Sequence, residues 1–187
     1  MKKFTCAILS LLLLSLSLTA CSSQTPLQGK TITTDIASMT VPEEATNIVN
    51  YDVMQAYMVS NSSYYMTITL MTGAGTPSTV SSFSDSVYDE YVSTAKEELE
   101  SQFSTNDALK NATFSAPDTY QTLKINGQDA IKVTVNFTAD TVSGAYDVYF
   151  TGNASNTVVI AIFTLMNSKG AALPTVIDQM IDTVKFE

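Results

Sequence analysis

Residues 158–165 constrain the fold more than any other segment, because seven of these eight residues are apolar. A run of this length is typical of a β-strand, and a strand that is apolar on both faces needs cover on both sides. We therefore predict that this segment is the central strand of a sheet, with other elements packed against each face.

Alternating apolar and polar residues predict further strands along the chain. In the N-terminal half they are residues 36–42, 53–59 and 64–71. In the C-terminal half, residues 120–125 lead into Asn126-Gly127, which is the strongest short signal for a hairpin. Two alternating strands follow, with apolar positions at Ile131, Val133, Val135, Phe137, Tyr146, Val148 and Phe150, and polar positions at Lys132, Thr134 and Asn136. Consecutive hairpins imply a mainly antiparallel sheet.

Apolar residues recur at steps of three and four in two other stretches, which is typical of amphipathic helices. Residues 80–103 predict a helix of about six turns with Ser78 or Thr79 as its cap. Its apolar positions are Val80, Phe83, Val87, Tyr91, Ala95, Leu99 and Phe103. Residues 173–184 predict a closing helix. We therefore predict one α+β domain over residues 31–187, a mainly antiparallel sheet with helices on both faces, or α/β/α sandwich.

Two local motifs of this domain point to a known fold. One is the hairpin Ile125-Asn126-Gly127-Gln128-Asp129-Ala130, of the type I-N-G-x-x-A, and the other is the chain end Ile181-Asp182-Thr183-Val184-Lys185-Phe186, of the type I-x-x-T-V-K-F. Together with the element order, they resemble the PsbP-like proteins, whose fold the photosystem II extrinsic protein shares with a Ran-binding import factor. The resemblance implies a PsbP-like fold. Both motifs are scaffold features, so they say little about activity. The named relatives act by binding proteins rather than by catalysis, and the resemblance implies the same for this domain.

The first 21 residues have the order of a bacterial export signal. Lys2 and Lys3 precede an apolar stretch that is shorter than the roughly 20 residues of a membrane-spanning helix, and Leu18-Thr19-Ala20-Cys21 follows. This tetrapeptide resembles the lipobox of bacterial lipoproteins, which implies cleavage between Ala20 and Cys21 and lipid attachment to the Cys21 sulfur. We expect residues 1–20 to be a signal peptide, residues 21–30 a lipidated cysteine with its tether, and the domain to lie on the extracytoplasmic face of a bacterial membrane.

Charge and composition limit the partners and sites of the exported domain. Without the signal, seven lysines stand against 18 acidic residues, so the net charge is −11. A nucleic-acid binder needs a basic face, and we therefore expect no nucleic-acid partner. The sequence has no histidine, and Cys21 is the only thiol that remains after cleavage. Histidine is the commonest general base and the commonest metal ligand, and it is absent here. We therefore expect no metal and no cofactor.

One sequence motif suggests chemistry. Ser93-Thr94-Ala95-Lys96 matches the S-x-x-K motif of β-lactamases and penicillin-binding proteins. Its partner motifs are incomplete, because the chain has Lys30-Thr31-Ile32 instead of K-T-G and Ser84-Asp85-Ser86 instead of S-D-N. The motif also falls on the polar face of the predicted long helix. We therefore expect no enzyme activity and no catalytic residues, and keep a cell-wall hydrolase that uses Ser93 and Lys96 as an alternative.

These observations predict a membrane-anchored, non-catalytic interaction module whose partner is an extracytoplasmic protein or ligand of unknown identity. Because the sheet and helices bury most of the apolar pattern, loops and exposed edges are the expected contact surface. The main candidates are residues 73–77 and the turn at residues 140–144. A second alternative is a lipoprotein that binds a small ligand, with some of its nine tyrosines lining a groove.

Overall fold

The computed structural model describes residues 27–73, 80–152 and 156–187. Its strands are β1 (Gly29–Thr33), β2 (Ala37–Pro42), β3 (Thr46–Tyr51), β4 (Met54–Ser60), β5 (Tyr64–Thr72), β6 (Thr113–Ser115), β7 (Gln121–Ile125), β8 (Gln128–Thr138), β9 (Ser143–Gly152), β10 (Thr157–Met166) and β11 (Lys185–Phe186). Its α-helices are α1 (Asp85–Phe103) and α2 (Val176–Asp182). The large sheet has the strand order β3-β4-β5-β10-β9-β8-β6, with β7 also paired to β8, and the small sheet has the order β1-β2-β11. All pairings are antiparallel.

The apolar run near the C-terminus forms the middle of the large sheet. Strand β10 lies between β5 and β9. Val158 and Ile160 are buried in the core on one face, whereas Val159 and Ala161 are buried in the core on the other. The prediction of a central strand that is covered from both sides is therefore confirmed.

The Asn126-Gly127 turn connects β7 to β8 as the sequence predicts. Both residues have positive φ angles, 47° and 80°, which a two-residue turn of type I′ requires. Ile125 and Gln128 face each other directly across the turn. The register that follows buries Ile131 under α1, in the same core as the other apolar positions of β8.

Helix α1 begins at Asp85, five residues later than predicted. Its cap is Ser84, whose hydroxyl oxygen accepts a hydrogen bond from the Val87 N–H at 3.4 Å. The prediction of Ser78 or Thr79 as the cap is wrong, and both of these residues lie outside the described ranges. The buried residues of α1 are Tyr88, Val92, Ala95, Leu99 and Phe103. The buried face is thus rotated from the predicted one, because Tyr88 and Val92 replace Val87 and Tyr91 at its centre.

The small sheet contains residues that the sequence assigns to the tether. Gly29 is the first residue of β1 and lies opposite Pro42 of β2. Leu27 packs against the core, and the Lys30 ammonium group donates a hydrogen bond to the Ala45 carbonyl at 2.7 Å. Residues 29 and 30, which the sequence assigns to the tether, are thus the first two residues of β1. Polar composition predicts a linker here, whereas pairing with β2 makes it a strand.

The T-V-K-F ending, residues 183–186, connects the end of α2 to the small sheet. The Thr183 hydroxyl donates to the Met180 carbonyl at 2.7 Å and accepts from the Thr40 N–H at 2.9 Å. Val184 is buried, and Lys185–Phe186 pairs with β2. The motif therefore has a structural role that joins helix, core and sheet within four residues.

Two hydrophobic cores lie on the two faces of the large sheet. One core joins α1 to β8, β9 and β10, and the other joins the large sheet to the small sheet and α2. The predicted α+β class with a mainly antiparallel sheet is confirmed. The finer prediction of helices on both faces is not confirmed, because a sheet provides much of the second cover. Among the described residues, no helix is both long enough and apolar enough to cross a membrane.

Candidate functional site

A cleft of about 420 Å³ lies between α1 and the large sheet. On the sheet side it is lined by Tyr65, Thr67, Tyr146 and Phe163, and on the helix side by Tyr91, Thr94, Glu98 and Gln102. Its volume falls within the range of pockets that hold small ligands. The cleft is therefore the main candidate for a binding site in the described part of the chain.

Strand register and helix periodicity bring these side chains together. Phe163 of β10 lies opposite Thr67 of β5 on one side and Tyr146 of β9 on the other, so the three residues form one row across the sheet. Glu98 follows Tyr91 by seven residues on α1, and this spacing puts both on the same flank of the helix. The row and the flank face each other across the cleft.

Two tyrosines lie side by side inside the cleft. Tyr91 and Tyr146 both line it, and their hydroxyl groups are close enough to influence each other's pKa. Burial raises the pKa of both phenols above its ordinary value, and the negative charge of Glu98 raises the pKa of both further. Both hydroxyl groups are therefore protonated at neutral pH and act there as neutral hydrogen-bonding groups.

Glu98 gives the cleft its charge. Of the described residues that line the cleft, it alone carries a charge at neutral pH. Its Oε1 accepts a hydrogen bond from the Gln102 side chain at 3.4 Å, which holds the carboxylate along the flank of α1. The cleft thus combines aromatic walls with one negative group.

Outside the gaps at residues 1–26, 74–79 and 153–155, no three acidic side chains lie close enough together to hold a metal ion.

An uncovered part of the sheet continues from the cleft. We call it the open sheet face and define it as Val49, Tyr51, Met54, Met58 and Tyr65, on β3, β4 and the start of β5. Tyr51 pairs with Met54 on this face. Met58 lies directly opposite Thr67, which lines the cleft. None of the five belongs to either hydrophobic core, because α1 covers β8, β9 and β10 instead.

A buried ion pair lies on the opposite face of the large sheet. Asp147 is 2% exposed, its Oδ2 lies 3.2 Å from the Lys132 Nζ, and its Oδ1 accepts a hydrogen bond from the Thr134 hydroxyl at 2.6 Å. The Lys132 ammonium also lies 5.3 Å from the centre of the Tyr149 ring. Both carboxylate oxygens of Asp147 have a partner, which is typical of a structural ion pair.

The residues that the sequence singles out do not meet at the cleft. Cys21 and Ala20 lie outside the described residues, so lipid attachment and cleavage stay predictions. Ser93 is exposed and Lys96 is half-buried on α1, and neither of them lines the cleft. The two reactive residues of the S-x-x-K motif thus lie outside the main candidate site, although Thr94 and Ala95 between them line it.

The two predicted contact loops lie at opposite ends of the sheet. Gly73 follows the end of β5, where its N–H donates to the Thr157 carbonyl at 2.9 Å. The turn at residues 140–144 leads into the start of β9, whose other end pairs with Thr157. Residues 74–77 lie outside the described ranges. The structure therefore does not join the two loops into one surface.

Sequence reasoning missed the roles of Tyr91 and Glu98. The apolar periodicity places Tyr91 in the core, and the acidic pattern places Glu98 on the solvated side of the helix. Tyr91 does pack against the core and Glu98 is exposed, but both residues also line the cleft along one flank of α1. One sequence signal could have found them. Glu98 follows Tyr91 by seven positions, and residues at this spacing lie on the same side of a helix.

Comparisons with known proteins identify the fold. No family model matches the chain, and no curated protein matches it in sequence. The solution structure of cyanobacterial PsbP (CyanoP) from Synechocystis sp. PCC 6803 superposes with a TM-score of 0.54 at 11% identity, over 91% of this chain and 99% of CyanoP. A crystal structure from Bacteroides thetaiotaomicron gives a TM-score of 0.50 at 12% identity, over 86% of this chain, which spans 49% of that longer protein. The chain therefore has a PsbP-like fold.

Proposed function

We propose that the chain is a membrane-anchored, non-catalytic interaction module on the extracytoplasmic face of a bacterial membrane, which binds an amphipathic helix of a partner protein on the open sheet face. The observation that carries the proposal is this group of apolar side chains outside both cores, of which Tyr51 is 65% exposed. Contiguous apolar side chains on a surface often mark interaction sites, whereas isolated ones do not.

The dimensions of the open sheet face suit one helix. Strands β3, β4 and β5 are neighbours in the sheet. Because neighbouring strands are about 4.8 Å apart, the outer two of the three are about 10 Å apart, which is the width of a helix with its side chains. A partner helix would lie beside α1 and extend the helical layer. Met54 and Met58 suit this role, since methionine adapts to irregular surfaces.

The charge of α1 supports a basic partner. The helix carries six acidic residues and one lysine, and Glu98 lies on the flank that borders the open sheet face. A helix with lysine or arginine along the adjacent flank is attracted there, whereas an acidic helix is repelled. The same negative charge disfavours an anionic lipid surface as the occupant.

The lipid anchor is the second part of the proposal. With Cys21 at the membrane and Leu27 packed against the core, residues 22–26 span at most about 18 Å. Such a short tether keeps the domain in a thin layer and raises its effective concentration towards membrane-bound partners. In this proposal, α2 and the small sheet together form the third layer of the α/β/α sandwich.

A photocrosslinker on the open sheet face tests the partner. We would place benzoyl-phenylalanine at Met58, and at the exposed Thr122 of β7 as the matched control, and sequence the crosslinked peptides from native cells by mass spectrometry. We expect Met58 adducts to map to one amphipathic helix with a basic flank, and the synthetic helix to bind the wild type but not Met58→Asp. Adducts with lipid alone, or the same adducts from both positions, would refute the proposal.

Replacement of the lipid-carrying cysteine tests the anchor. We expect Cys21→Ser to prevent lipidation and to move the protein from the membrane fraction to the soluble or secreted fraction. Cys6, within the predicted signal, is the matched control, and Cys6→Ser should leave the fractionation unchanged. A Cys21→Ser protein that stays membrane-bound and migrates like the wild type on a gel would contradict a lipoprotein.

Two alternatives have their own observations. The cleft supports a lipoprotein that binds a small ligand, as developed below. A Ser/Lys cell-wall hydrolase would need Ser93 to react, and labelling of Ser93 by a penicillin or fluorophosphonate probe would favour it over a non-catalytic module. Neither Ser93 nor Lys96 lines the cleft, which supports our choice.

A further inference from the structure

We propose that the cleft between α1 and the large sheet binds a small organic cation, an ammonium group with an apolar body, between the aromatic walls and Glu98. The inference rests on the cleft, which shares Tyr65 with the open sheet face and has Glu98 at their common border, so different probes are used to test the two proposals. Its ligand class follows from three features of the lining, which are charge, aromatic content and neutral hydrogen-bonding groups.

The charge of the lining selects the sign of the ligand. Glu98 is the charged residue among the described lining residues, and its carboxylate is close enough to act on the hydroxyl groups of both Tyr91 and Tyr146. Lys96, although it is on the same helix, does not line the cleft. An anionic ligand would therefore meet a negative potential without a basic partner, whereas a cation gains attraction.

The aromatic walls select a soft, poorly hydrated cation. Tyr65, Tyr91, Tyr146 and Phe163 line the cleft together. Ring faces attract ammonium groups through their quadrupole, and sites for quaternary ammonium ions are built from such aromatic walls. A metal ion instead requires several oxygen ligands around it, and this lining offers one carboxylate. The composition therefore favours an alkylammonium ion over Ca²⁺ or Mg²⁺.

The neutral hydroxyl groups of the lining can form hydrogen bonds with a polar substituent on the ligand. Thr67 and Thr94 line the cleft from opposite sides, one on β5 and one on α1. Hydroxyl groups of this kind both donate and accept hydrogen bonds. A hydroxyalkyl ammonium compound such as choline presents a cationic head, a short apolar chain and a hydroxyl group, and is the probe that fits these three features.

A pair of isosteric probes isolates the charge. We would titrate the purified full-length protein with choline chloride and with 3,3-dimethylbutan-1-ol, its neutral isostere, at constant ionic strength, and follow backbone amide signals by NMR. We expect saturable shifts at Thr67, Thr94 and Glu98 with choline. The neutral alcohol should bind at least about fivefold more weakly, since cation–π attraction and the carboxylate both act on charge alone.

Matched variants locate the site. Glu98→Gln should weaken choline binding about three- to fivefold, whereas Glu97→Gln removes the same charge from an exposed position of α1 outside the cleft and should change it less than about twofold. Tyr65→Phe should retain binding because the ring remains, and Tyr65→Leu should weaken it. Tyr65 belongs to neither core, so both variants are expected to fold.

The outcomes are decisive in either direction. Equal binding of the two isosteres, equal effects of Glu97→Gln and Glu98→Gln, or no saturable shift with choline would each overturn the proposal. Photocrosslinking at Met58 is unaffected by these results, so failure of the cation site and failure of the partner helix are distinguishable. If Tyr65→Leu fails to fold, the comparison of the two glutamate variants and of the two probes still decides.

Discussion

Two ion pairs on adjacent hairpins test whether burial or distance determines how much an ion pair contributes to the stability of this domain. The Lys124–Asp129 pair has the shorter distance, 2.7 Å, but its side chains are 66% and 72% exposed. The Lys132–Asp147 pair is longer, 3.2 Å, and its side chains are 21% and 2% exposed. We predict that Lys132→Met destabilises the protein much more than Lys124→Met.

The expected magnitude follows from what each replacement leaves behind. Lys132→Met leaves the Asp147 carboxylate buried with the Thr134 hydroxyl as its hydrogen-bond donor. Loss of one partner of a buried pair costs about 3–5 kcal/mol, and partial exposure of Lys132 screens the pair, so we expect the free energy of unfolding to fall by about 2–3 kcal/mol. Lys124→Met leaves a solvated carboxylate, and we expect a loss of at most about 1 kcal/mol.

Urea-induced unfolding at pH 7, followed by circular dichroism, measures both losses. A double variant, Lys132→Met with Asp147→Val, removes the buried charge as well as its partner. Replacement of a whole buried pair by apolar residues is often nearly neutral, so the double variant should recover much of the stability lost in Lys132→Met alone. The reasoning is refuted if Lys124→Met costs as much as Lys132→Met, or if the double variant is less stable than the single one.

Three further predictions concern the core, a close contact and the cleft. Ile160→Ala removes a fully buried side chain from the central strand and should lower the free energy of unfolding by about 3–5 kcal/mol in the same urea assay; a loss below about 1 kcal/mol would contradict its central place. Gly144→Ala would push a Cβ atom into the Thr164 carbonyl, so we expect a marked fall in melting temperature, and an unchanged value would show that β9 and β10 separate easily. Because burial raises the pKa of Tyr91 and Tyr146 above the ordinary value of 10.0, the unfolded state loses their protons first, so their contribution to stability should be constant below about pH 10 and be lost at higher pH. Tyr91→Phe should reduce this alkaline loss, measured as the urea midpoint at pH 8 and pH 11, and an equal loss in the variant would contradict it.

Local signals explain what the sequence could predict. Residues 158–165 predict β10 because their apolar character requires cover on both faces, whatever elements provide it. The Asn126-Gly127 turn predicts its hairpin because few residues tolerate two consecutive positive φ angles. In both cases the physical cause lies within the segment, so that neighbouring elements do not change the outcome.

Pairing between distant segments explains what the sequence could not predict. Strand β3 is exposed at most positions and has no clear alternation, and its pairing with β4 makes it a strand. Residues 29 and 30 look like a polar tether until β2 is placed beside them. The two residues of β11 are too few for any periodic signal, yet they pair with β2. These strands depend on partners that are known only once the chain is folded.

The cleft depends on where α1 lies across the sheet, which no local pattern specifies. The helix could have covered the middle of the sheet evenly, and then Tyr91 would have been fully buried rather than half-buried at the edge of the core. It instead covers β8, β9 and β10. This displacement produces both the cleft along one flank of α1 and the open sheet face beyond it. The candidate site is therefore a consequence of packing rather than of a motif.

The edge of the sheet supports a helix rather than an added strand as the occupant of the open sheet face. Strand β3 ends the large sheet, but its register shifts between Asn47 and Val49, and the Asn47 side chain donates to the Val49 carbonyl at 2.9 Å. A bulge and an occupied backbone acceptor are features that hinder pairing with a further strand.

The acidic residues around β3 add a second obstacle at the edge. Glu43 and Glu44 precede the strand and Asp52 follows it, and all three are exposed. A second copy of this chain would bring the same charges against them. The apolar side chains of Tyr51, Met54 and Met58 remain accessible on the face of the sheet, where no such protection exists among the described residues. The edge of the sheet is thus protected against strand pairing, whereas its face stays apolar. Such a surface suits a partner that binds through side-chain packing, as an amphipathic helix does.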